Sequence, residues 1–179
     1  MPTVLAILAE GFEEIEALAP VDLLRRAGAE VVLAALGEST HVTGRCGVTI
    51  HADTTLTAAG TRAFDCLFLP GGPGTTLLRA DPRVRSLVLA QHSAGRWVAA
   101  ICAAPTVLHD AGLLTGRRYT AHPSVAPDLP EIRASERVVS DGNLITSRGA
   151  GTALEFGLTL VGTLFSPAKA QEISASICV

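Results

Sequence analysis

Residues 97–112 read WVAAICAAPTVLHDAG. In this stretch an apolar run leads straight into Cys102, small residues follow, and Pro105 opens a helix-compatible segment that ends near Gly112. The order predicts a buried strand, a sharp turn and a helix, which is the layout of a nucleophile elbow with cysteine in place of serine. Pro105 suits a first helical turn because that position needs no intrahelical N–H partner. The stretch therefore favours an α/β fold in which Cys102 stands clear of the sheet.

The position of Cys102 predicts reactivity. The helix that follows directs its free N–H groups and the positive end of its dipole at the side chain, so the thiol is expected to lose its proton more easily than a free thiol. The sharp turn also predicts a sparsely populated backbone conformation at this residue. The alternative is an inert cysteine in a core, where this residue type is common. Cys102 is the leading candidate for a nucleophile.

Short apolar runs alternate with helical patterns along the first half of the chain. Strand patterns at residues 4–9, 31–36 and 64–69 and a helical pattern at 13–27 predict βαβ units, hence a mainly parallel sheet. Two antiparallel hairpins are predicted at residues 43–53 and 137–147. A proline-rich surface segment is predicted at 123–135, and two closing helices at 152–164 and 168–177.

Composition limits the functional classes. The 179 residues suggest one domain, and 14 basic against 17 acidic residues, without a basic cluster, argue against nucleic-acid binding. No apolar run reaches the ~20 residues of a membrane span, and no export signal is visible, so a cytoplasmic protein is expected. The cysteines and histidines lack C-x-x-C and H-x-x-x-H spacing, which predicts neither disulfides nor a metal site.

Loops after separate strands of a parallel sheet meet at one edge, and three loops here have unusual chemistry. They are residues 11–16, residues 70–74 and the turn at Cys102. Helix-dipole interactions explain Glu13 and Glu14 at a helix start. Glu16 differs because Pro20, four residues later, cannot donate to its carbonyl. A Glu16 carboxyl near the thiolate would have a raised pKa and could donate a hydrogen bond to sulfur, giving an acid and nucleophile pair.

Other residues at this edge suit supporting roles. Gly71 and Gly72 allow close backbone approach and, with the Ala103 N–H, suit an oxyanion site. The loop matches neither a dinucleotide-binding motif nor a P-loop, so no cofactor is expected. His122 could reach the edge as a proton shuttle or serve only a structural role. The roles of Arg148, a possible contact for an anionic group, and of Cys46 in a hairpin stay open.

Five segments in this order carry a family resemblance: GFEEIE at 11–16, LPGG at 69–72, AICAAP at 100–105, HP at 122–123 and TSRGAGT at 146–152. With them the chain resembles the ThiJ/PfpI superfamily, in the branch of the Parkinson-disease-associated protein. The resemblance spans essentially the whole chain, residues 1–179, as one domain.

The resemblance implies a flavodoxin-like three-layer sandwich with helices on both faces of the sheet, usually as a homodimer. It also implies a reactive Cys102, a protonated Glu16, oxyanion donors at the Gly72 and Ala103 backbone and His122 near the thiol. The activity implied is that of a cofactor-independent glyoxalase or deglycase, a lyase or hydrolase acting on methylglyoxal or glyoxal in carbonyl stress. A redox sensor or stress chaperone that works through oxidation of Cys102 is the alternative.

Three departures from the family pattern bear on the activity. The peptidase-like branch has histidine directly after its cysteine, whereas this chain has Ala103, so a protease interpretation lacks its base. Ala104 stands where glycine is common, and the loop at 71–74 is short and resembles the isocyanide hydratase branch, a distant alternative. Substrate preference therefore stays open at the level of sequence.

Overall fold

The computed structural model, which describes residues 1–60 and 62–179, contains a seven-stranded sheet. In spatial order its strands are β5 (Thr54–Thr55), β2 (Glu30–Ala35), β1 (Thr3–Leu8), β6 (Cys66–Leu69), β7 (Trp97–Ile101), β9 (Leu144–Ser147) and β8 (Val138–Asp141). Neighbours pair in parallel except β8, which runs antiparallel to β9. The predicted parallel sheet and the hairpin at 137–147 are confirmed.

Helices cover both faces of this sheet. They are α1 (Glu14–Ala27), α2 (Leu56–Ala59), α3 (Thr75–Ala80), α4 (Pro82–Ser93), α5 (Pro105–Asp110), α6 (Ala153–Leu164) and α7 (Pro167–Ser176). Successive side chains of a strand point to opposite faces, so Val4 and Ala6 of β1 join a core with α1 and α6, whereas Leu5 and Ile7 join one with α4 and α5. This three-layer arrangement confirms the predicted fold class.

The predicted hairpin at 43–53 forms as β3 (His41–Thr43) and β4 (Thr49–His51), but as a separate two-stranded sheet rather than as part of the main one. The Gly11 N–H donates to the Thr43 carbonyl over 2.8 Å, which ties the hairpin to the loop after β1. The hairpin therefore lies beside the carboxyl end of the parallel strands.

Close packing of two helices fixes α1 in place. A Cβ at Gly157 of α6 would lie 2.7 Å from Leu23 Cδ1 and 2.9 Å from Pro20 Cα, so only glycine permits this approach. The helix continues across Pro20. The start of α1 is thereby held at the sheet edge where Cys102 lies.

The helical segments from α2 to α4 were not among the sequence predictions, whereas the predicted closing helices correspond to α6 and α7. The segment at 123–135 begins with a short 3₁₀ turn, Pro123–Val125, and has no further helix or strand. Among the described residues, no helix has the length and apolar character needed to cross a membrane.

Candidate active site

The turn at Cys102 has the predicted elbow geometry. Cys102 has a φ of 67°, in the left-handed region that non-glycine residues seldom adopt. Its N–H donates to the Ser147 carbonyl over 2.9 Å, and its carbonyl accepts from the His122 N–H over 2.8 Å. Helix α5 begins three residues later at Pro105. The prediction of an unusual backbone conformation is confirmed, and hydrogen bonds from both flanking segments hold it.

Glu16 lies in the first turn of α1 and is only 2% exposed. Its carboxyl lies beside the Cys102 side chain, since a Cβ built on Gly149 would lie 3.5 Å from Glu16 Oε1 and 3.9 Å from Cys102 Sγ. Glu13 caps the helix, because its Oε2 accepts from the Glu16 N–H over 2.7 Å. The cap holds the backbone of Glu16, and the close contacts hold its side chain against the sulfur.

Burial governs the ionisation of this pair. Burial, assisted by the negative charge of Glu13, raises the pKa of the Glu16 carboxyl to about 7. Burial and the adjacent Glu16 carboxylate raise the pKa of the Cys102 thiol to about 12, while hydrogen bonds from Gly72 and Ala103 act in the opposite direction. The prediction of a thiol that ionises more easily than a free one is therefore wrong, because desolvation and like charge outweigh the elbow.

A single proton shared by the pair follows from this arrangement. Two negative charges in contact inside a protein are strongly unfavourable, so Glu16 and Cys102 do not ionise together at neutral pH. A thiolate at Cys102 therefore requires a protonated Glu16. The backbone N–H groups of Gly72 and Ala103 act to lower the pKa of the thiol, and those of Gly71 and Ala150 act to lower the pKa of the carboxyl.

The glycines of the loop after β6 make room for these contacts. A Cβ on Gly71 would collide with Glu16 Oε2 and with Cys102 Cβ. Gly72 has a φ of 93°, and a Cβ there would lie 2.6 Å from both the Glu13 nitrogen and the Gly11 carbonyl oxygen. This loop can pack so closely against Glu16, Cys102 and the loop after β1 only because both residues lack a side chain.

A cavity of about 430 Å³ opens over the sulfur. Its lining brings together Cys102, Glu16, Gly72, Ala103 and His122, all of which the sequence singled out. The Nδ1 atom of His122 lies 2.8 Å from Ser124 Oγ, so Nε2 is the ring nitrogen left for other partners. Gly71 lies behind Glu16 and Cys102 rather than in the lining.

Several lining residues were not assigned to the site from sequence: Glu13, Arg45, Thr75, Ala150 and Ser124. The position of Glu13 at a helix start, three residues before Glu16, could have indicated that it belongs to the site. No feature of the sequence indicated Arg45, because the place where its hairpin packs cannot be predicted from local patterns. Arg148 does not line the cavity.

The remaining cysteines differ from Cys102. Cys46 and Cys178 are exposed, while Cys66 is fully buried in β6, where burial raises the pKa of its thiol to about 12. The Cys46 N–H donates to Glu14 Oε1 over 2.8 Å, which makes Cys46 part of the hairpin anchor.

Known proteins with similar sequences and structures share one family. The sequence profile of the DJ-1/PfpI family matches residues 2–163. Protein dj-1beta of Drosophila melanogaster is 41% identical over 98% of this chain and 96% of its own length. The glutathione-independent glyoxalase DJR-1.2 of Caenorhabditis elegans is 36% identical over 95% of this chain and 92% of its own length. The structure described as oxidized Toxoplasma gondii DJ-1 superposes with a TM-score of 0.95 at 35% identity, covering 99% and 98% of the two chains.

Proposed function

Because the chain belongs to the DJ-1/PfpI family, we propose that it is a cofactor-independent glyoxalase that converts methylglyoxal or glyoxal to the corresponding hydroxy acid. One observation carries the proposal: Cys102 lies beside the buried Glu16 carboxyl, and both line one cavity together with Gly72 and Ala103. The relative named as a glutathione-independent glyoxalase supports the same reaction class.

The reaction begins with addition of sulfur to the aldehyde. The Cys102 thiolate attacks the aldehyde carbon, and the carbonyl electron pair moves onto oxygen. The N–H groups of Gly72 and Ala103 stabilise the oxyanion, which is the role of an oxyanion hole. The protonated Glu16 carboxyl then donates its proton to this oxygen and becomes a carboxylate. The product is a hemithioacetal on Cys102.

Isomerisation and release complete the reaction. The Glu16 carboxylate removes the hydrogen of the former aldehyde carbon as a proton, and the ketone oxygen takes up the proton of the hemithioacetal hydroxyl. Glu16 then returns its proton to the neighbouring carbon, giving a 2-hydroxy thioester. Water cleaves this thioester, releases the hydroxy acid and restores the shared proton. His122 moves protons at the cavity edge through Nε2. One water is added overall, and no oxidant or reductant is consumed.

Lactate formation from methylglyoxal without glutathione tests the proposal. The wild-type protein should produce lactate, Cys102→Ala should produce none, and Cys46→Ala, which removes an exposed thiol elsewhere, should retain full activity. A folded wild-type protein that forms no lactate would contradict the proposal. Deglycase activity on early methylglyoxal adducts, using the same pair, is part of the proposal and is measured in parallel.

A redox sensor, or a chaperone switched by oxidation, is the second candidate. The donors around Cys102 would also stabilise the oxygens of a sulfinate, and a structure described as an oxidized DJ-1 belongs to a similar protein. Mild peroxide should then oxidise Cys102 before the exposed Cys46, as mass spectrometry would measure. Oxidation of Cys46 first would argue against this function.

The proposal includes one domain over residues 1–179 that acts as a homodimer in the cytoplasm. Ile15, Leu154 and Val179, which are 55%, 44% and 66% exposed, line one surface depression and form an apolar patch suited to a second copy. All four cysteines are free thiols, as is typical of a reducing compartment. Light scattering should give the dimer mass for wild type and the monomer mass for Ile15→Glu.

A further inference from the structure

The cavity is larger, and has more polar residues in its lining, than a small dicarbonyl requires. Its volume of about 430 Å³ lies in the usual range for ligand sites, whereas three-carbon methylglyoxal would fill only a fraction of it. Beyond the groups that contact sulfur, the lining includes the polar residues Arg45, Thr75 and Thr76. These residues have no part in the reaction steps above, so they are available to bind the rest of a larger substrate.

Arg45 is held at this cavity by its backbone. The Arg45 N–H donates to the Phe12 carbonyl over 2.8 Å. The next residue in the turn, Cys46, donates its N–H to Glu14 Oε1. A Cβ on Gly44 would collide with the Glu14 carboxyl, so the turn and the carboxyl can pack together only with glycine at this position. The base of the Arg45 side chain is thus fixed beside the loop that carries Glu16.

The charge of Arg45 is uncompensated by any ion pair within residues 1–60 and 62–179. Arg79 also lines the cavity, but it bonds Asp110 through two nitrogens and Asp128 through a third. The Glu13 carboxylate is engaged through Oε2 by the Glu16 N–H. Arg45 is therefore the cation that a negatively charged ligand group can neutralise.

Thr75 provides a second, independent indication. It is 4% exposed and lines the cavity, yet its hydroxyl is buried and has no hydrogen-bond partner in the described part of the chain. A buried hydroxyl without a partner is unfavourable, and a ligand oxygen would remove this cost. The hydroxyl can donate to an anionic oxygen, which complements the guanidinium of Arg45.

We propose that Arg45 and Thr75 form an anion-binding subsite of the cavity, and that the preferred substrate is an α-oxoaldehyde carrying a carboxylate or phosphate at its far end. A guanidinium matches the oxygens of either anion with paired hydrogen bonds. The inference rests on the proposed function, because the aldehyde end reacts at Cys102 as described. The anionic group is unchanged by the reaction, which yields a 2-hydroxy acid with a second negative charge.

Kinetics with three substrates test the subsite: neutral methylglyoxal, the carboxylate 4,5-dioxopentanoate and the phosphate ester of 3-hydroxy-2-oxopropanal. For wild type, kcat/KM should be about tenfold or more higher for an anionic substrate, as expected for a hydrogen bond to a charged group. Arg45→Gln should abolish this preference, so that kcat/KM for the anionic substrates falls to the value for methylglyoxal in the same variant, with Arg45→Lys intermediate. Comparison of the two anionic substrates distinguishes carboxylate from phosphate recognition. Arg85→Gln, which changes an exposed arginine on α4, is the matched control.

Binding of an unreactive anion separates this inference from the proposed function. 4-Oxopentanoate carries the carboxylate but no aldehyde, and titration calorimetry should find it bound about tenfold more weakly by Arg45→Gln and by Thr75→Val than by wild type. If wild type converts methylglyoxal with no anionic preference, the subsite is refuted and the proposed function stands. If no substrate is converted but binding depends on Arg45, the proposed function fails and the subsite stands. Binding that is unaffected by Arg45→Gln overturns the subsite.

Discussion

The Glu16 carboxyl lies beside the Cys102 side chain in a place where Glu16 is 2% exposed, and a Cβ on Gly71 would collide with both. The pair carries two protons below the Glu16 pKa of about 7 and one proton above it. Because the thiolate form holds one proton, kcat/KM for methylglyoxal should rise with pH through about 7 and then level off. Glu16→Gln stops at the adduct, so its profile is measured as the rate of adduct formation on Cys102, and the rise of that rate near neutral pH should be absent. An identical rise in the variant would assign the titration to another group.

The same raised pKa has a consequence for stability. The folded state binds the Glu16 proton more tightly than the unfolded state, so this group's contribution to stability is full below pH 4.5 and is lost as pH rises to about 7. Glu16→Gln should therefore raise the free energy of unfolding above neutral pH by on the order of 3 kcal/mol, and much less at acidic pH. Urea unfolding at both pH values measures the difference. Destabilisation of the variant at high pH would contradict the assignment.

For Glu14 we expect the opposite dependence of stability on pH. Burial raises the pKa of its carboxyl, but N–H donors that include those of Cys46 and Val48 outweigh burial and lower it below 4.5. Its contribution to stability is present above pH 4.5 and is lost as pH falls through the folded pKa. Glu14→Gln should lower the free energy of unfolding at neutral pH by about 1 kcal/mol, with the loss vanishing in acid. Glu172→Gln, an exposed carboxyl on α7, serves as the control.

Gly71, which packs against Glu16 and Cys102, should be required for activity more than for folding. Gly71→Ala places a methyl group against Glu16 Oε2 and Cys102 Cβ, so the pair must shift. A displacement of this kind is expected to lower kcat about 100-fold with a native circular dichroism spectrum. Gly151→Ala meets no atom within 4 Å and should retain activity. Equal rates for both variants would show that the spacing of the pair is not critical.

The left-handed backbone conformation of Cys102 should lower the stability of the protein. At a φ of 67° a side chain is strained and glycine is not, so Cys102→Gly should be about 1 kcal/mol more stable than Cys102→Ala, although both are inactive. Cys66 in β6 provides the matched pair, because in a strand glycine should be less stable than alanine. The same order of stability at both positions would argue against strain at the elbow.

Local sequence determined much of the fold and part of the site. The position of Cys102 and Glu16 at one edge was indicated by the apolar run at Trp97, by the glycines at 71 and 72 and by Pro20, which cannot donate to the Glu16 carbonyl. Loops after parallel strands share an edge. The ionisation of Cys102 was misjudged, since desolvation depends on packing between distant segments. Arg45 and Thr75 were missed for the same reason. Their positions depend on the docking of β3 and β4 and on the loop before α3, which no periodic pattern records.

The intact mass of the protein during turnover of methylglyoxal tests the central claim most directly. If Cys102 is the nucleophile and Glu16 moves the proton of the adduct, Glu16→Gln should accumulate one methylglyoxal per chain, mapped by peptide analysis to Cys102. Wild type should show the adduct only transiently, and Cys102→Ala should not show it at all. Lactate formation by wild type with no adduct on Cys102 in either protein would contradict the account.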